Sequence, residues 1–126
     1  MFFYDMRRLV ARLFVDISLY FCHQFYIKNI QIYSFQLSTF DYESDEKKAE
    51  LPLIDLASYI KDYMDTAGFL KNIDVLVTID SSIANLAGAM GVKTFLLLPF
   101  RTDWRWFYDT NKTSWYDSVK LFKQTE

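Results

Sequence analysis

The polar triplet Asp80-Ser81-Ser82 interrupts an otherwise apolar stretch of the chain and could do chemistry. The apolar residues before it predict a strand, and the small residues after it predict a helix. A strand that enters a helix through a short polar turn leaves the first backbone N–H groups of the helix without intrahelical partners. An anion can bind to such groups, so phosphate is the first ligand to consider.

Two further polar side chains, Ser34 and Gln36, lie at the end of a second predicted strand, residues 29–36. Apolar groups occur in both alternating sets of this segment, which is typical of a strand covered on both faces. In open α/β sheets ligands bind beyond the carboxyl ends of the strands, so both residues are candidate site residues. The alternative is a strand end that simply enters solvent.

Residues 101–109, RTDWRWFYD, interleave charged groups with aromatic rings. Such rings can stack on a base or a sugar. They can equally lock a loop against the sheet, and that role is expected for at least two of the three tryptophans. Arg105 lies between Trp104 and Trp106 and is the side chain expected to contact an anion.

The segments around the triplet predict a βαβ unit, with a strand over residues 74–79, a helix over 82–90 and a strand over 94–98. The two strands should be parallel. Gly91 follows the helix where a left-handed cap is wanted. The small residues of the helix allow it to approach the sheet closely. This arrangement predicts the α/β class with a Rossmann-like parallel sheet and flanking helices.

Two other segments have helical spacing. Residues 53–67 predict a helix of about three to four turns, and Asp65 or Thr66 could cap a second short helix after it. Residues 1–26 predict an amphipathic helix that packs on the core or on a partner, with membrane attachment as the alternative. Arg12 and Asp16 interrupt the apolar run that a signal peptide or a membrane span requires.

Composition bounds the function class. The 126 residues fit one domain, and the formal net charge of −2 gives no electrostatic footprint for nucleic acid. Cys22 is the only cysteine, so no internal disulfide can form and a reducing cytoplasm is the expected compartment. Cys22 and His23 have no further Cys or His to complete a zinc site, so no bound metal is expected.

Several motifs occur in an order that resembles a known family. They are Tyr33-Ser34-Phe35-Gln36, Asp65-Thr66-Ala67, IDSSIANLAGAMG and LLLPFRTDWRWFYD. Together they resemble the C-terminal part of the glycosyltransferase family that contains the ADP-heptose transferases, and most closely its members fused to tetratricopeptide repeats. The resemblance runs from about residue 29 to residue 124 and divides the chain into residues 1–28, which do not match, and a Rossmann-like nucleotide-sugar-binding domain over residues 29–126.

The resemblance implies part of a GT-B architecture, in which the C-terminal domain holds a nucleotide-sugar donor. The implied donor diphosphate site is Asp80, Ser81, Ser82 and Asn85, and the implied nucleotide or sugar side is Ser34, Gln36, Thr66 and Arg105. Asn85 stands where the family usually has His, and its amide can donate a hydrogen bond but carries no charge. The implied substrate is the nucleotide sugar itself, with no cofactor and no metal.

The implied function is donor binding in a glycosyltransferase, with transfer of a glycosyl group to an acceptor hydroxyl. No acceptor domain is recognised in the sequence, so the chain is expected to be a truncated or fragmentary enzyme that works with a separate acceptor domain or a tetratricopeptide-repeat chain. Whether the chain alone is active stays open. The alternative is a non-catalytic interaction module or homo-oligomer, which would pair through a sheet edge left by a missing first strand.

Overall fold

The computed structural model of the protein describes residues 11–16, 30–35, 53–108 and 110–125. Within these ranges six strands form one parallel sheet: β1 (Ala11–Asp16), β2 (Ile30–Ser34), β3 (Leu53–Asp55), β4 (Val75–Ile79), β5 (Thr94–Leu98) and β6 (Val119–Lys123). The α-helices are α1 (Tyr63–Leu70) and α2 (Ser82–Ala89). Two short 3₁₀ helices span Ala57–Tyr59 and Trp104–Trp106.

The strands follow the order β3-β2-β1-β4-β5-β6 across the sheet. Strands β2 and β3 therefore follow one another on one side of β1. Strand β4 pairs with the other side of β1, and β5 and β6 extend the sheet in that direction. This is the strand order of the Rossmann arrangement, and it confirms the predicted α/β class with a parallel sheet. The strand order reverses between β1 and β4, and sheets of this kind bind ligands at the carboxyl ends of the strands beside such a reversal.

Helix α2 packs closely on one face of the sheet. Its small residues Ala84, Ala87 and Gly88 are buried. On β4, β5 and β6, the buried residues at matching register positions are Leu76, Thr78, Thr94, Leu96, Val119 and Leu121. Because the buried positions of α2 are small, the helix axis can come near the strands and its first turn lies close to their carboxyl ends.

Two hydrophobic clusters form the core of the described chain, and α2 contributes to both. Ala87 belongs to the cluster that also contains Phe35, Leu56, Leu70 and Leu76. Ala84 belongs to the second, which also contains Leu96, Leu98, Trp106, Val119 and Leu121. The helix that carries the candidate site is therefore fixed by packing on both halves of the sheet.

The predicted strand over residues 29–36 and the predicted βαβ unit are confirmed as β2 and as β4, α2 and β5. The predicted left-handed cap is also confirmed, because Gly91 has φ +71. Strand β6 was not predicted from the sequence, because its alternating burial shows only once it is paired with β5.

The predicted N-terminal helix is wrong for Ala11–Asp16, which is strand β1 and pairs with β2 on one side and β4 on the other. Its apolar trio Leu13-Phe14-Val15 suits a strand in the middle of a sheet, and helical spacing cannot distinguish the two in so short a run. The rest of residues 1–28 lies outside the described residues. Since β1 occupies the centre of the sheet, the expected edge left by a missing first strand is absent from this described sheet.

The predicted helix over residues 53–67 is also corrected. Leu53–Asp55 is strand β3, paired with β2, and the Asp55 carboxylate accepts a hydrogen bond of 2.9 Å from the Ala57 backbone N–H, which turns the chain. Helix α1 starts only at Tyr63. Its N-cap is Asp62, rather than Asp65 or Thr66. The Asp62 carboxylate accepts hydrogen bonds from the backbone N–H groups of Met64 and Asp65.

Gly88 allows a test of how closely α2 packs against its neighbours. A Cβ added at residue 88 would lie 2.5 Å from Cγ of Tyr116, a ring atom near the backbone that cannot move away freely. We expect Gly88→Ala to lower the free energy of unfolding by about 1–3 kcal/mol, as overpacking of a core does. Urea unfolding followed by far-UV circular dichroism measures this change.

Gly68 in α1 is the matched control, since a Cβ there would meet nothing within 4 Å. Gly68→Ala should raise the free energy of unfolding by about 0.5–1 kcal/mol, because alanine loses less backbone entropy in a helix. Equal effects of the two substitutions would show that α2 does not pack against Tyr116 as described.

Candidate functional site

The triplet Asp80-Ser81-Ser82 forms a turn, called the Asp80 turn below. It lies at the carboxyl end of β4, beside the point where the strand order reverses. Ser81 is the N-cap of α2 and has an extended backbone, with φ −145 and ψ 170, and the helix begins at Ser82. The turn therefore joins the two features that favour anion binding in such sheets, a switch point and a helix N-terminus.

The Ser81 side chain makes no capping hydrogen bond to α2, and the first turn of the helix contains no acidic residue. The Ser81 hydroxyl oxygen instead lies 3.3 Å from the hydroxyl oxygen of Thr78, a residue of β4. Ser81 is half-buried and Ser82 is exposed. The first N–H groups of this helix, which have no intrahelical acceptors, are thus not satisfied by the side chain of the N-cap residue.

Asn85 braces the turn from within α2. Its amide Nδ2 donates a hydrogen bond of 3.2 Å to the Ser81 carbonyl, and its Oδ1 accepts one of 3.3 Å from the Tyr116 hydroxyl. Tyr116 precedes β6, so this contact ties the turn to the far end of the chain. Asn85 therefore holds the position of the turn through both ends of its amide.

Arg105 reaches the turn from the loop after β5. Its Nη2 lies 3.8 Å from Asp80 Oδ2, and its Nε donates a hydrogen bond of 2.9 Å to Asp103 Oδ1. Asp80 and Arg105 were predicted as site residues from separate motifs, and the structure brings them together. Sequence analysis missed Asp103, which caps the 3₁₀ helix at Trp104–Trp106 by accepting from the Arg105 backbone N–H at 3.0 Å. The signal for it was an Asp just before a short helix.

The charges of the site are coupled. The backbone N–H of Arg105, and next its guanidinium, hold the pKa of Asp103 below its usual value. The hydrogen bond to Asp103 in turn raises the pKa of Arg105, with a smaller contribution from Asp80. The single cation Arg105 thus faces the two carboxylates of Asp80 and Asp103. The positive potential that would attract an anion therefore has to come from the dipole and the N–H groups of α2 as well as from Arg105.

Of the residues expected on the nucleotide or sugar side, Arg105 approaches the turn, whereas the hydrogen bonds described for Ser34 and Thr66 are made elsewhere. Ser34 is half-buried on β2, which is separated from β4 by β1, and its carbonyl accepts a hydrogen bond of 2.8 Å from the Leu56 N–H. Thr66 is buried in α1 and its hydroxyl donates to the Asp62 carbonyl at 3.2 Å. Gln36 lies outside the described residues. The site as described therefore consists of Asp80, Ser81, Ser82, Asn85, Asp103 and Arg105.

A separate cavity of about 680 Å³ lies at the opposite edge of the sheet, at the amino ends of β5 and β6. Its lining includes Lys93, Lys112 and Lys120 together with Asp117. Because it opens away from the carboxyl ends of the strands, this cavity is not part of the Asp80 site.

The described residues offer neither a metal-binding cluster nor a membrane-spanning helix. Among them there is no group of three or more His, Cys, Asp or Glu that could hold a metal ion. None of the helices in these ranges has the length and apolar character needed to cross a bilayer. Cys22 and His23 lie outside the described residues.

Comparisons with protein-family models, with curated proteins and with solved structures found no match for this chain.

The coupling of Asp103 to Arg105 predicts a pH dependence. In the unfolded chain the carboxyl has a pKa of about 3.9, and in the folded protein the pKa is lower. The pairing therefore stabilises the fold above the unfolded pKa and is lost as the pH falls through the folded one. NMR titration of the Asp103 carboxyl carbon should show a midpoint below the usual range.

Arg105→Gln tests the cause of this shift. The variant removes the guanidinium but keeps the backbone N–H, so we expect the pKa of Asp103 to rise only part of the way towards its usual value. Lys71→Gln, a neutralised cation in the exposed segment after α1, should leave the Asp103 midpoint unchanged. An Asp103 titration midpoint that does not change in Arg105→Gln would contradict the ion pair between Asp103 and Arg105.

Proposed function

We propose that this protein is a donor-binding domain of a glycosyltransferase and that the diphosphate of a nucleotide sugar binds at the Asp80 turn. The observation that carries the proposal is the uncapped N-terminus of α2 at the reversal of the strand order. The order of motifs that resembles the ADP-heptose transferase family supports the choice of a nucleotide sugar among phosphate-bearing ligands.

In this proposal the diphosphate is bound by backbone N–H groups of the first turn of α2 and by the hydroxyls of Ser81 and Ser82. Hydrogen bonds to a charged acceptor are stronger than those between neutral groups. The N-terminus of a helix adds roughly half a positive charge. These groups are held by packing before the ligand arrives, so little free energy is lost in ordering them.

Arg105 completes the neutralisation of the diphosphate, and Asp80 positions the guanidinium of Arg105. A carboxylate would repel a phosphate at short range, so Asp80 acts through the guanidinium that lies 3.8 Å from it. Asp103 binds the Nε of the same group, and an arginine has five N–H donors. Its remaining donors are available to a phosphate oxygen at the mouth of the turn.

The same groups suit the chemistry of glycosyl transfer. When the bond from the anomeric carbon to the diphosphate oxygen breaks, negative charge develops on the leaving group. Fixed N–H donors, the helix dipole and Arg105 can stabilise that charge without a metal ion. The acceptor hydroxyl forms the new bond to the anomeric carbon and loses its proton to a base.

Calorimetric titration with ADP-, UDP- and GDP-sugars tests the proposal. We expect one class of nucleotide sugar to bind selectively, and the double substitution Ser81→Ala with Ser82→Ala to weaken binding by on the order of 1–3 kcal/mol through the loss of two hydrogen bonds. No binding at millimolar concentration would overturn the proposal.

The pair Ser82→Ala and Ser82→Pro separates the hydroxyl from the backbone N–H. Proline is tolerated at the first position of a helix, and the extended backbone of Ser81 accommodates the ring. Proline should therefore weaken binding by a further 1.5–3 kcal/mol, roughly, since a hydrogen bond to a charged group is lost. Ser58→Ala, at an exposed serine of the first 3₁₀ helix, should have no effect on affinity.

A further inference from the structure

Large aromatic side chains lie exposed in one loop of the described chain. This aromatic loop spans residues 101–115, with residue 109 outside the description. Trp104 is 68% exposed, Tyr108 66% and Trp115 56%, and Phe107 is exposed as well. Trp106, by contrast, is buried at 1% in the core cluster under the loop. Trp106 thus takes the structural role, locking the loop against the sheet, that was expected for at least two of the three tryptophans.

Besides the burial of Trp106, hydrogen bonds hold the loop in place. The Tyr108 hydroxyl donates to the Thr102 carbonyl at 3.2 Å, and Trp115 Nε1 donates to the Arg105 carbonyl at 3.1 Å. Lys123 Nζ donates to the carbonyl of Phe107. These bonds fix the backbone while the aromatic faces stay in solvent, as expected of a preorganised binding surface.

Phe107 has φ +49, a left-handed value that a residue with a Cβ rarely adopts. It is the only non-glycine with positive φ among the described residues. Strained backbone of this kind persists where the surrounding contacts over-determine it, and it clusters at functional sites. Here the strained residue turns the chain between the exposed rings of Trp104 and Tyr108.

A cavity of about 500 Å³ opens at this point, within the usual range of small-molecule sites. Its described lining consists of three aromatic residues and two hydroxyl residues, Trp104, Phe107, Tyr108, Thr110 and Ser114. None of these side chains is charged at neutral pH. The described lining suits a ligand that has both an apolar face and hydroxyl groups.

We propose that the aromatic loop binds a neutral saccharide. One face of a pyranose ring carries C–H groups, and the electron-rich face of an indole or phenol attracts them. The sugar hydroxyls then lie at the rim of the ring, where Thr110 and Ser114 can exchange hydrogen bonds with them. The Thr110 hydroxyl accepts from the Lys112 N–H at 2.9 Å and donates to the Lys112 carbonyl at 3.3 Å, which sets its position and leaves it one lone pair to accept from a sugar hydroxyl.

The cavity distinguishes a saccharide from a protein partner. A stable protein interface needs roughly 1,000 Å² or more of buried surface, whereas this loop offers a small concave site. The binding of a saccharide does not depend on the Asp80 turn; only its role as glycosyl acceptor rests on the proposed function. Arg105, which belongs to both, would bring such an acceptor near the donor site.

Tryptophan fluorescence measures the binding. We propose titration of the full chain with methyl glycosides of glucose, galactose, mannose and N-acetylglucosamine, and with maltose. We expect at least one of them to shift the emission saturably at millimolar concentration. Trp104→Ala, followed by NMR of the ligand, should weaken binding at least tenfold. Because Trp104 is exposed, circular dichroism should show that the variant keeps its fold.

Tyr63→Ala is the control, because Tyr63 is 61% exposed on α1, away from the loop, and it should leave saccharide affinity unchanged. Ser82→Pro should also leave it unchanged, while Trp104→Ala should leave nucleotide-sugar affinity within twofold. The saccharide proposal and the nucleotide-sugar proposal can thus be refuted independently of each other.

Four results would each overturn the saccharide proposal. Two concern affinity: no probe binds, or saccharide binding survives Trp104→Ala. The other two concern a different ligand: uridine or adenosine binds in preference to sugars, or the protein shows concentration-dependent self-association that Trp104→Ala abolishes.

Discussion

The pairing of β1 with both β2 and β4 is the constraint on which the rest of the structure depends. Because β4 returns to the free side of β1, the sheet reverses its winding at that point and its carboxyl edge opens there. The segment after β4 must then leave the sheet through this opening. The Asp80 turn and the first turn of α2 lie there for that reason.

Arg105 connects this opening to the other half of the sheet. The loop after β5 could adopt many courses, but Asp103 caps its 3₁₀ helix and binds the guanidinium, which in turn approaches Asp80. The ion pairs are solvent-accessible, so their contribution to stability is small. Their consequence is geometric, since they set the position of the loop relative to the turn.

The sequence allowed the prediction of those elements whose signal is local. The βαβ unit has two largely apolar strands, a helix of small residues and Gly91 directly after that helix, so its bounds could be predicted within about two residues. Strands β1 and β3 could not, because short apolar runs fit either period and only the partner strands decide between them. Asp80 and Arg105 were each identified from their own motif. Their contact depends on the path of the chain between them, which no spacing rule contains.

The packing of α2 also sets the geometry of the turn, through a chain of contacts that begins at Gly88. The missing Cβ of Gly88 makes room for the Tyr116 ring. From there the Tyr116 hydroxyl donates to Asn85, and Asn85 donates to the Ser81 carbonyl. Asn85 suits this position because one amide offers an acceptor and a donor together. A residue chosen for tight packing near the end of α2 thereby fixes the carbonyl of the N-cap at its beginning, so the direction of the N–H groups at the site follows from the core.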